Sequence, residues 1–397
     1  MLELAQHWAL DPQITFLNHG SFGACPRAVL AHQQALRERL EAEPARFFNR
    51  EAPALMAQAR TALARFVGAP EAGLAFVPNA SSGINAILRS LPIEAGSELL
   101  VTDHEYNASR NVLDFVAAAQ SARVIPIHVP FPLQDSAGVV EAVLDAVTPR
   151  TRLALLDHVT SQTALVLPIE TLVPELEARG VAVLVDGAHG PGMLPMDLAS
   201  LQPSWYVGNC HKWLCAPKAV GFLWAREDHR STVRPAVISH GANAPVPVEQ
   251  RFRREFDWMG TADPTPALCV PEAIRFLGSL LPNGWKEVRQ RNRALALAGR
   301  QLVAQALEVD LPCPDENIGS MATLPVPEVA RFGGATAHSA LELDPLHDVL
   351  FHEHRIEVPV VTCAAHPGRL LRISAQLYNR REDYERLASS LHCILRG

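Results

Sequence analysis

Lys212 lies beside a histidine between two apolar runs, an unusual position for a charged side chain. Residues 205–207 read WYV and residues 220–225 read VGFLWA, both typical of buried strands, and the polar stretch GNCHKW (208–213) separates them. A buried ammonium group is unfavourable unless it is paired or neutral. The lysine at this position therefore either reaches water or takes part in chemistry.

Asp186 supplies a chemical reason for the lysine. It ends the apolar run VAVLVD (181–186), and Lys212 follows 26 residues later, at the end of the next predicted strand. A buried carboxylate needs a cationic partner. An aspartate and a lysine at neighbouring strand ends suit pyridoxal phosphate, because the amine bonds to the cofactor while the carboxylate keeps the ring nitrogen protonated. Burial and neighbouring charge also lower the pKa of a lysine toward the nucleophilic range.

The segment NASSG (79–83) offers donors for a phosphate. It opens a predicted helix at Ser81, so backbone N–H groups and the hydroxyls of Ser81 and Ser82 can bind an anion at the helix N-terminus. Taken alone, Ser81 is as well explained as a helix N-cap. His211 can also reach a phosphate oxygen. No G-x-G-x-x-G motif follows a strand, which disfavours a dinucleotide-dependent dehydrogenase.

The elements that must position these residues alternate between strand and helix from about residue 70 to 225. Apolar, strand-like runs occupy 74–78, 98–103, 123–129, 152–159, 181–188, 205–209 and 220–225. Helical patterns lie between them at 81–90, 106–120, 136–146 and 168–179. This order predicts an α/β fold with a mostly parallel sheet covered on both faces. Ligands of such sheets gather at the carboxyl ends of the strands, where the polar stretches of this chain occur.

Composition narrows the class of protein. The chain has 397 residues and a net charge of −7 with no block of Lys or Arg, which argues against nucleic-acid binding. No apolar stretch is long enough to span a bilayer, and the N-terminus does not read as a secretory signal. The 7 cysteines are odd in number and form no C-x-x-C pair, which predicts neither disulfides nor a metal site. We therefore expect a cytoplasmic protein without a bound metal.

The length predicts two domains. We expect an N-terminal segment, 1–30, that packs with the smaller domain, and a large α/β domain over 31–264. A change of character after residue 265, with helices at 265–280 and 284–308, predicts a small α+β domain over 265–397.

The two segments DGAHGPG (186–192) and GNCHKWLCAPKAVGFL (208–223) resemble the fold-type I aminotransferases of class V, in the branch similar to isopenicillin N epimerase. Further segments fit this family in order, namely FLNHGSFGACPRAV (16–29), FVPNASSGIN (76–85), DHEYNA (103–108), HVTSQTALVLP (158–168), GTADPTP (260–266) and RISAQLYN (372–379). The resemblance covers essentially the whole chain. It implies the type I fold of pyridoxal-phosphate enzymes, with a mostly parallel seven-stranded sheet and a smaller C-terminal α+β domain.

The resemblance also implies roles around the cofactor ring. Lys212 would form the Schiff base, Asp186 would hold the ring nitrogen and His189 would bond to the ring hydroxyl. Tyr106 would stack on the ring, with His104 as the alternative. Ser161 falls where cysteine desulfurases of the class carry a cofactor-contacting asparagine.

The resemblance also implies contacts with the cofactor phosphate and with the substrate. Ala80, Ser81, Ser82 and His211 would bind the phosphate. Thr261 would reach the phosphate of the partner subunit, which implies a homodimer with shared sites. Arg372 would bind the substrate carboxylate. Asn18 and His19, in NHGSFG (18–23), would line the substrate end.

Two residues compete with these roles. Lys218 is the rival lysine, but it follows a proline in a predicted turn, where solvent exposure is expected. Cys363 precedes Arg372 as the catalytic cysteine of desulfurases precedes their arginine. The short gap and unlike surroundings favour a structural role for it.

The resemblance implies chemistry at the α-carbon of an amino acid and leaves the reaction open. Loss of a sulfur substituent would make the protein a C–S lyase, which we place first. Return of the proton to the opposite face would make it an epimerase, and protonation at the cofactor would make it a transaminase. A homologue that binds the cofactor without catalysis, as a regulatory protein, is an alternative of another class.

Overall fold

A computed structural model describes residues 2–328, 332–334 and 343–396. Its strands are β1 (Thr15–Phe16), β2 (Leu74–Val77), β3 (Glu98–Thr102), β4 (Arg123–Ile127), β5 (Thr151–Asp157), β6 (Ala182–Gly187), β7 (Trp205–Asn209), β8 (Gly221–Ala225), β9 (Met321–Pro325), β10 (Ile356–Glu357), β11 (Val360–Cys363) and β12 (His366–Ser374). The large sheet has the order β2-β8-β7-β6-β5-β3-β4. Strand β8 runs in the opposite direction to the other six strands of this sheet. The predicted α/β fold with a mostly parallel seven-stranded sheet is confirmed.

The helices cover the sheet and build the smaller part of the molecule. They are α1 (Leu2–Ala5), α2 (His19–Phe22), α3 (Arg27–Ala42), α4 (Pro44–Arg46), α5 (Ala52–Phe66), α6 (Ala80–Leu88), α7 (Asn107–Ala119), α8 (Ser136–Asp145), α9 (Ile169–Ala178), α10 (Leu198–Leu201), α11 (Val248–Phe256), α12 (Thr265–Leu268), α13 (Val270–Ser279), α14 (Gly284–Leu307), α15 (Pro345–His352) and α16 (Arg381–Arg396). The strands β3, β5 and β6 are buried almost throughout, as expected of a sheet covered on both faces.

One predicted helix is divided. The sequence predicts a single helix over 265–280, whereas the structure has α12 and α13 with Cys269 between them. Pro271 lies in the first turn of α13 and has no N–H, so it cannot continue the hydrogen-bond ladder of α12.

A second sheet and the N-terminal segment lie around the C-terminal half. Strand β12 pairs antiparallel with both β9 and β11, and α14 packs against α16 and β9. Strand β1 pairs parallel with β10, which places the N-terminal segment against this half of the chain. The domain boundaries at residues 30 and 264 stay a prediction. In the described residues, no helix combines the length and apolarity needed to cross a membrane.

Candidate active site

The lysine and the aspartate predicted from the sequence come together at one edge of the large sheet. Asp186 lies in β6, and Lys212 follows β7, the neighbouring strand. Asp186 is 3% exposed and accepts hydrogen bonds from the Ser109 hydroxyl (2.9 Å) and the Ala188 N–H (3.0 Å). Burial raises the pKa of Asp186, and these hydrogen bonds and Lys212 oppose that shift. A carboxylate has about four acceptor positions, so Asp186 can accept a further donor.

Two glycines let the chain approach this site closely. A Cβ atom at Gly187 would lie 2.0 Å from Tyr206 Oη, and one at Gly23 would lie 2.2 Å from the His211 carbonyl oxygen. Gly23 also has a φ of +68°, which a residue with a side chain rarely adopts. Larger residues at these positions would displace the chain beside Asp186 or the lysine loop.

The hydrogen bonds of His189 determine the protonation state of Lys212. The Trp213 indole N–H donates to His189 Nδ1 at 3.2 Å, so the neutral imidazole carries its proton on Nε2. His189 Nε2 lies 3.1 Å from Lys212 Nζ, and its N–H can donate only to a lone pair on that nitrogen. The lysine is therefore a neutral amine in this arrangement. Burial, together with the nearby Arg372 guanidinium, lowers the pKa of Lys212 to about 7.

This lowered pKa predicts a pH-dependent stability of the cofactor-free protein. The unfolded chain holds the Lys212 proton up to its ordinary pKa of 10.5, whereas the folded site releases it near pH 7. The unfolded state therefore binds more protons between these values, and the free energy of unfolding rises with pH. We expect cofactor-free Lys212→Met to be more stable than wild type at pH 7. The difference between their free energies of unfolding should narrow toward pH 10 by more than about 1.4 kcal/mol, which is the free energy of one pKa unit.

The measurement is urea unfolding of both proteins at several pH values. Replacement of the exposed Lys286 by methionine is the control, because that side chain lies in water on α14. A gap for Lys212→Met that stays constant from pH 7 to 10 would contradict a neutral, buried amine.

Arg372 is a buried guanidinium without a carboxylate partner in the described part of the chain. It is 4% exposed and donates to the Ser161 carbonyl oxygen (2.5 Å) and the Ser21 hydroxyl (2.8 Å), while its Nε atom has no partner there. Burial lowers the pKa of Arg372 to about 10. An uncompensated buried cation is unfavourable, and a guanidinium matches the geometry of a carboxylate. The site is therefore suited to an incoming carboxylate.

The N-terminal segment contacts both charged residues. His19 is fully buried, with Nδ1 2.7 Å from Tyr378 Oη and Nε2 3.1 Å from the Lys212 carbonyl oxygen. Both ring nitrogens of His19 are thus engaged within the protein, and its role at the substrate end stays a prediction. We propose that it also positions the lysine loop.

Asn18 lies beside the guanidinium. Its Nδ2 donates to Glu357 Oε1 (2.8 Å), and its Oδ1 accepts from the Ser21 hydroxyl (2.5 Å) and, at 3.5 Å, from Arg372. Its role as a substrate ligand stays a prediction.

The predicted phosphate residues meet at the start of α6. Asn79 caps this helix by accepting from the Ser82 N–H (2.9 Å), and the Ala80 N–H donates to Asn209 Oδ1 (2.9 Å). The backbone donors of Ala80 and Ser82 are thus already used, because the cap and the neighbouring strand hold them. The hydroxyls of Ser81 and Ser82 are partly exposed, and phosphate binding at the start of α6 stays a prediction.

His211 presents one ring nitrogen to its surroundings. Its Nδ1 donates to the Val220 carbonyl oxygen (2.8 Å), which leaves Nε2 for a ligand. Burial lowers the pKa of His211 to about 4, so the ring is neutral near pH 7.

Of the two candidates for ring stacking, only Tyr106 is accessible. Tyr106 is 38% exposed at the start of α7. His104 is 1% exposed, and its ring nitrogens lie 2.6 Å from the Thr163 hydroxyl and 2.8 Å from the Val129 carbonyl oxygen. We propose Tyr106 as the stacking residue, since it is the accessible one of the two rings.

Thr261 is the predicted site residue that the single chain does not bring to the lysine. It is exposed, and the space around the adjacent Gly260 is open.

Lys218, the rival lysine, donates to the Gly23 carbonyl oxygen at 2.8 Å. Cys363 lies in a hairpin opposite His366, and burial raises the pKa of its thiol, which suits a structural cysteine. Within the described residues, no group of three or more His, Cys, Asp or Glu side chains could hold a metal ion.

Comparison with known proteins identifies the family. The family model "Aminotransferase class-V" matches residues 23–387. The chain belongs to the aminotransferase class-V family. This family uses pyridoxal phosphate, and the chain is therefore a pyridoxal-phosphate-dependent enzyme. The regulatory, non-catalytic alternative is set aside.

Relatives within the family have different activities. The chain is 37% identical to isopenicillin N epimerase of Amycolatopsis lactamdurans, over 96% of each protein, and 35% identical to that of Streptomyces clavuligerus, over 97% of this chain and 96% of the relative. It is 27% identical to a probable chloroplastic L-cysteine desulfhydrase of Arabidopsis thaliana, over 97% of this chain and 84% of the relative. A solved cystine C–S lyase shares the fold with a TM-score of 0.76 and 22% identity, over 96% of this chain and 98% of the other.

The donor set of this site fits the cofactor of the class-V family. A buried carboxylate, a neutral amine and an imidazole converge at one sheet edge, and hydroxyls stand at the start of α6. These groups match a ring nitrogen, an aldehyde, a ring hydroxyl and a phosphate.

Some contributors were not singled out from the sequence. Ser109 supports the aspartate, Trp213 fixes the imidazole tautomer, and Ser21 holds the arginine. Trp213 directly follows Lys212, but nothing in one sequence shows which ring its indole N–H reaches.

Proposed function

We propose that this enzyme is a C–S lyase that acts on an α-amino acid with a sulfur substituent on its β-carbon. The observation that supports this proposal most is the neutral amine of Lys212. The Arg372 guanidinium, whose Nε has no partner among the described residues, lies near enough to lower the pKa of this amine. Elimination needs one base at the α-carbon and one anchor for the carboxylate, and these two residues supply both.

We assign the cofactor contacts as follows. Asp186 would hold the ring nitrogen, His189 the ring hydroxyl, and Tyr106 would stack on the ring. The hydroxyls of Ser81 and Ser82 and the free nitrogen of His211 would hold the phosphate. Ser161 lies beside Arg372, through its carbonyl oxygen, and so belongs to the substrate end of the site.

The residues of the chain carry out the remaining steps. Arg372 fixes the substrate carboxylate and so directs the α-hydrogen toward Lys212 Nζ, which takes that proton. The bound cofactor supplies an electron sink for the charge at the α-carbon. The C–S bond then breaks, the sulfur leaves with the bonding pair, and a proton from solvent or Lys212 makes it a thiol. The three-carbon fragment takes up water and leaves as pyruvate and ammonia.

A second candidate, amino-acid epimerisation, is favoured by the 35% and 37% identity to isopenicillin N epimerases over nearly the whole chain. It begins with the same removal of the α-proton by Lys212. Inversion then requires a proton on the opposite face, from a second donor or from an amine that reaches both faces. Tyr106 is the candidate for a second donor, because its phenol interacts with the Arg372 charge at the substrate end.

Proton NMR of the holoenzyme in deuterated water separates the two functions. The panel contains cystine, L-cysteine conjugates, their sulfoxides and aliphatic amino acids of both hands. Pyruvate and ammonia from the sulfur compounds support the lyase. An intact amino acid that gains α-deuterium while its mirror form accumulates overturns the lyase in favour of the epimerase.

Tyr106→Phe gives a prediction that differs between the two. A lyase that uses Lys212 alone keeps its kcat within about tenfold, since the stacking ring remains. An epimerase that needs the phenol as proton donor loses about 10²–10⁴-fold, the usual contribution of a general acid. Exchange of the α-hydrogen for deuterium, followed by NMR in the same variant, shows whether the first step survives.

We propose a homodimer in which Thr261 of one protomer reaches the phosphate of the other. The support is the exposure of Thr261 and the open space around Gly260, together with the resemblance of GTADPTP (260–266) to the family. Sedimentation of the holoenzyme tests the dimer, and a monomer that binds the cofactor fully would contradict it.

A further inference from the structure

Three buried carboxyl groups lie together behind the candidate cofactor site, and the steps above use only one of them. Asp157 ends β5 and stands in register with Asp186 on β6. Glu105 follows β3, the neighbour of β5 on its other side. Their exposed fractions are 8% for Glu105, 2% for Asp157 and 3% for Asp186.

The hydrogen bonds of these groups do not balance if all three are ionised. Asp186 accepts from Ser109 and from a backbone N–H, and Glu105 Oε1 accepts from the Tyr106 N–H at 3.1 Å. Glu105 Oε2 and Asp157 Oδ2 are buried and have no donor among the described residues. The Ser109 hydroxyl lies near Glu105 but already donates its hydrogen to Asp186. The two side chains instead lie within hydrogen-bonding reach of each other.

Two carboxylates cannot hydrogen-bond to one another, because both only accept. A single proton between them provides the missing donor and removes one of two adjacent buried charges. Burial and mutual repulsion raise the pKa of Glu105 and of Asp157 well above their ordinary values, which agrees with a retained proton. The charged groups that face the pair from other elements are Asp186 on β6 and Lys212 after β7.

We propose that Glu105 and Asp157 share one proton and act as positioning residues, holding a single negative charge beside Asp186 that stabilises the proton on the cofactor ring nitrogen. This inference rests on the proposed role of Asp186 in holding that nitrogen. A negative charge within a few ångströms favours a cation by about one to three pKa units. The pair thus acts on the ring through Asp186, without contact with substrate.

Amide variants test the count of charges. Glu105→Gln or Asp157→Asn replaces the shared proton by an amide N–H and leaves one negative charge, so the ring nitrogen should keep its proton as in wild type. The double variant removes the charge. Its ring nitrogen should lose the proton at a pH about one to three units lower.

Two spectroscopic readouts on the holoenzyme measure this without turnover. The infrared spectrum of wild type should show the carbonyl band of a buried carboxylic acid, and this band should shift in deuterated water. Neither single variant should show the band. Nitrogen-15 NMR of cofactor labelled in the ring reports the ring proton as pH rises. Asp103→Asn is the matched control, since Asp103 lies on the same loop and contacts His128 (2.7 Å) outside the cluster. It should change neither readout.

The outcomes are distinct. The inference is overturned if wild type lacks the acid band, if a single variant shifts the ring titration as far as the double variant, or if the double variant leaves it unchanged. If the double variant does not fold, the acid band in wild type and its loss from both single variants still test whether Glu105 and Asp157 share a proton. A wild-type ring nitrogen that carries no proton would instead contradict the role proposed for Asp186.

Discussion

Lys212→Ala is expected to abolish turnover while the fold is retained. The variant loses the only neutral amine that the described site offers for removal of the α-proton, and with it the group that would bond to the cofactor. A general base contributes about 10²–10⁴-fold to a rate, and covalent attachment adds to that, so we expect kcat to fall by at least about 10³-fold. Loss of the buried amine removes the cost of keeping it deprotonated at pH 7, and this gain offsets the cavity that alanine leaves, so we expect the variant to unfold no more readily than wild type at that pH.

Three measurements together check this expectation. These are activity against the substrate found by NMR, thermal unfolding, and retention of the cofactor after borohydride reduction and denaturation. Lys218→Ala is the matched control, because Lys218 lies on the same loop and bonds only to the Gly23 carbonyl oxygen. If Lys218→Ala loses the reduced cofactor while Lys212→Ala keeps it, the assignment of the two lysines is reversed.

Arg372→Gln is expected to weaken substrate binding about 10²-fold or more. A guanidinium bonded to a carboxylate makes charge-assisted hydrogen bonds of about 1.5–3 kcal/mol each, and glutamine replaces at most one of them without the charge. The loss should appear mainly in KM, since the carboxylate is bound in the ground state and the transition state alike. The cofactor-free variant should unfold no more readily than wild type, because the substitution removes a buried charge that has no counter-ion among the described residues.

Arg369 provides the contrast on the same strand. It is equally buried but pairs with Asp344 at 2.7 Å, so Arg369→Gln breaks a buried ion pair and should cost about 3–5 kcal/mol of stability. Steady-state kinetics and urea unfolding of both variants separate the roles. An Arg372→Gln enzyme with unchanged KM would show that the substrate carboxylate binds elsewhere.

The strands of a mostly parallel sheet and the meeting of Asp186 with Lys212 could be predicted because both follow from local pattern. Continuous apolar runs identify strands of a covered sheet, and residues at the carboxyl ends of parallel strands share one edge. Asp157 carries the same signal as Asp186, a carboxylate that ends an apolar strand. It was not singled out, because no cationic partner follows it in sequence.

Other contacts depend on tertiary placement. The sequence places His19 near the substrate. The burial of His19 was not predictable, because it results from the approach of the N-terminal segment to the lysine loop, which Gly23 permits. The tautomer of His189 depends on the side-chain direction of Trp213, which no periodicity encodes. Thr261 lies outside the single-chain site, so the role proposed for it requires a second copy.

The pairing of β1 with β10 has a consequence for how the enzyme is made. Asn18 bonds to Glu357, 339 residues away, and Leu17 accepts from the Ser374 N–H at 2.9 Å. A ribosome therefore releases the residues that support the lysine loop well before the strand that carries Arg372. The large sheet can form during translation, but the carboxylate site closes only when both distant segments have left the exit tunnel. The nascent chain is thus unable to bind the substrate carboxylate at this site until the strand that carries Arg372 has emerged.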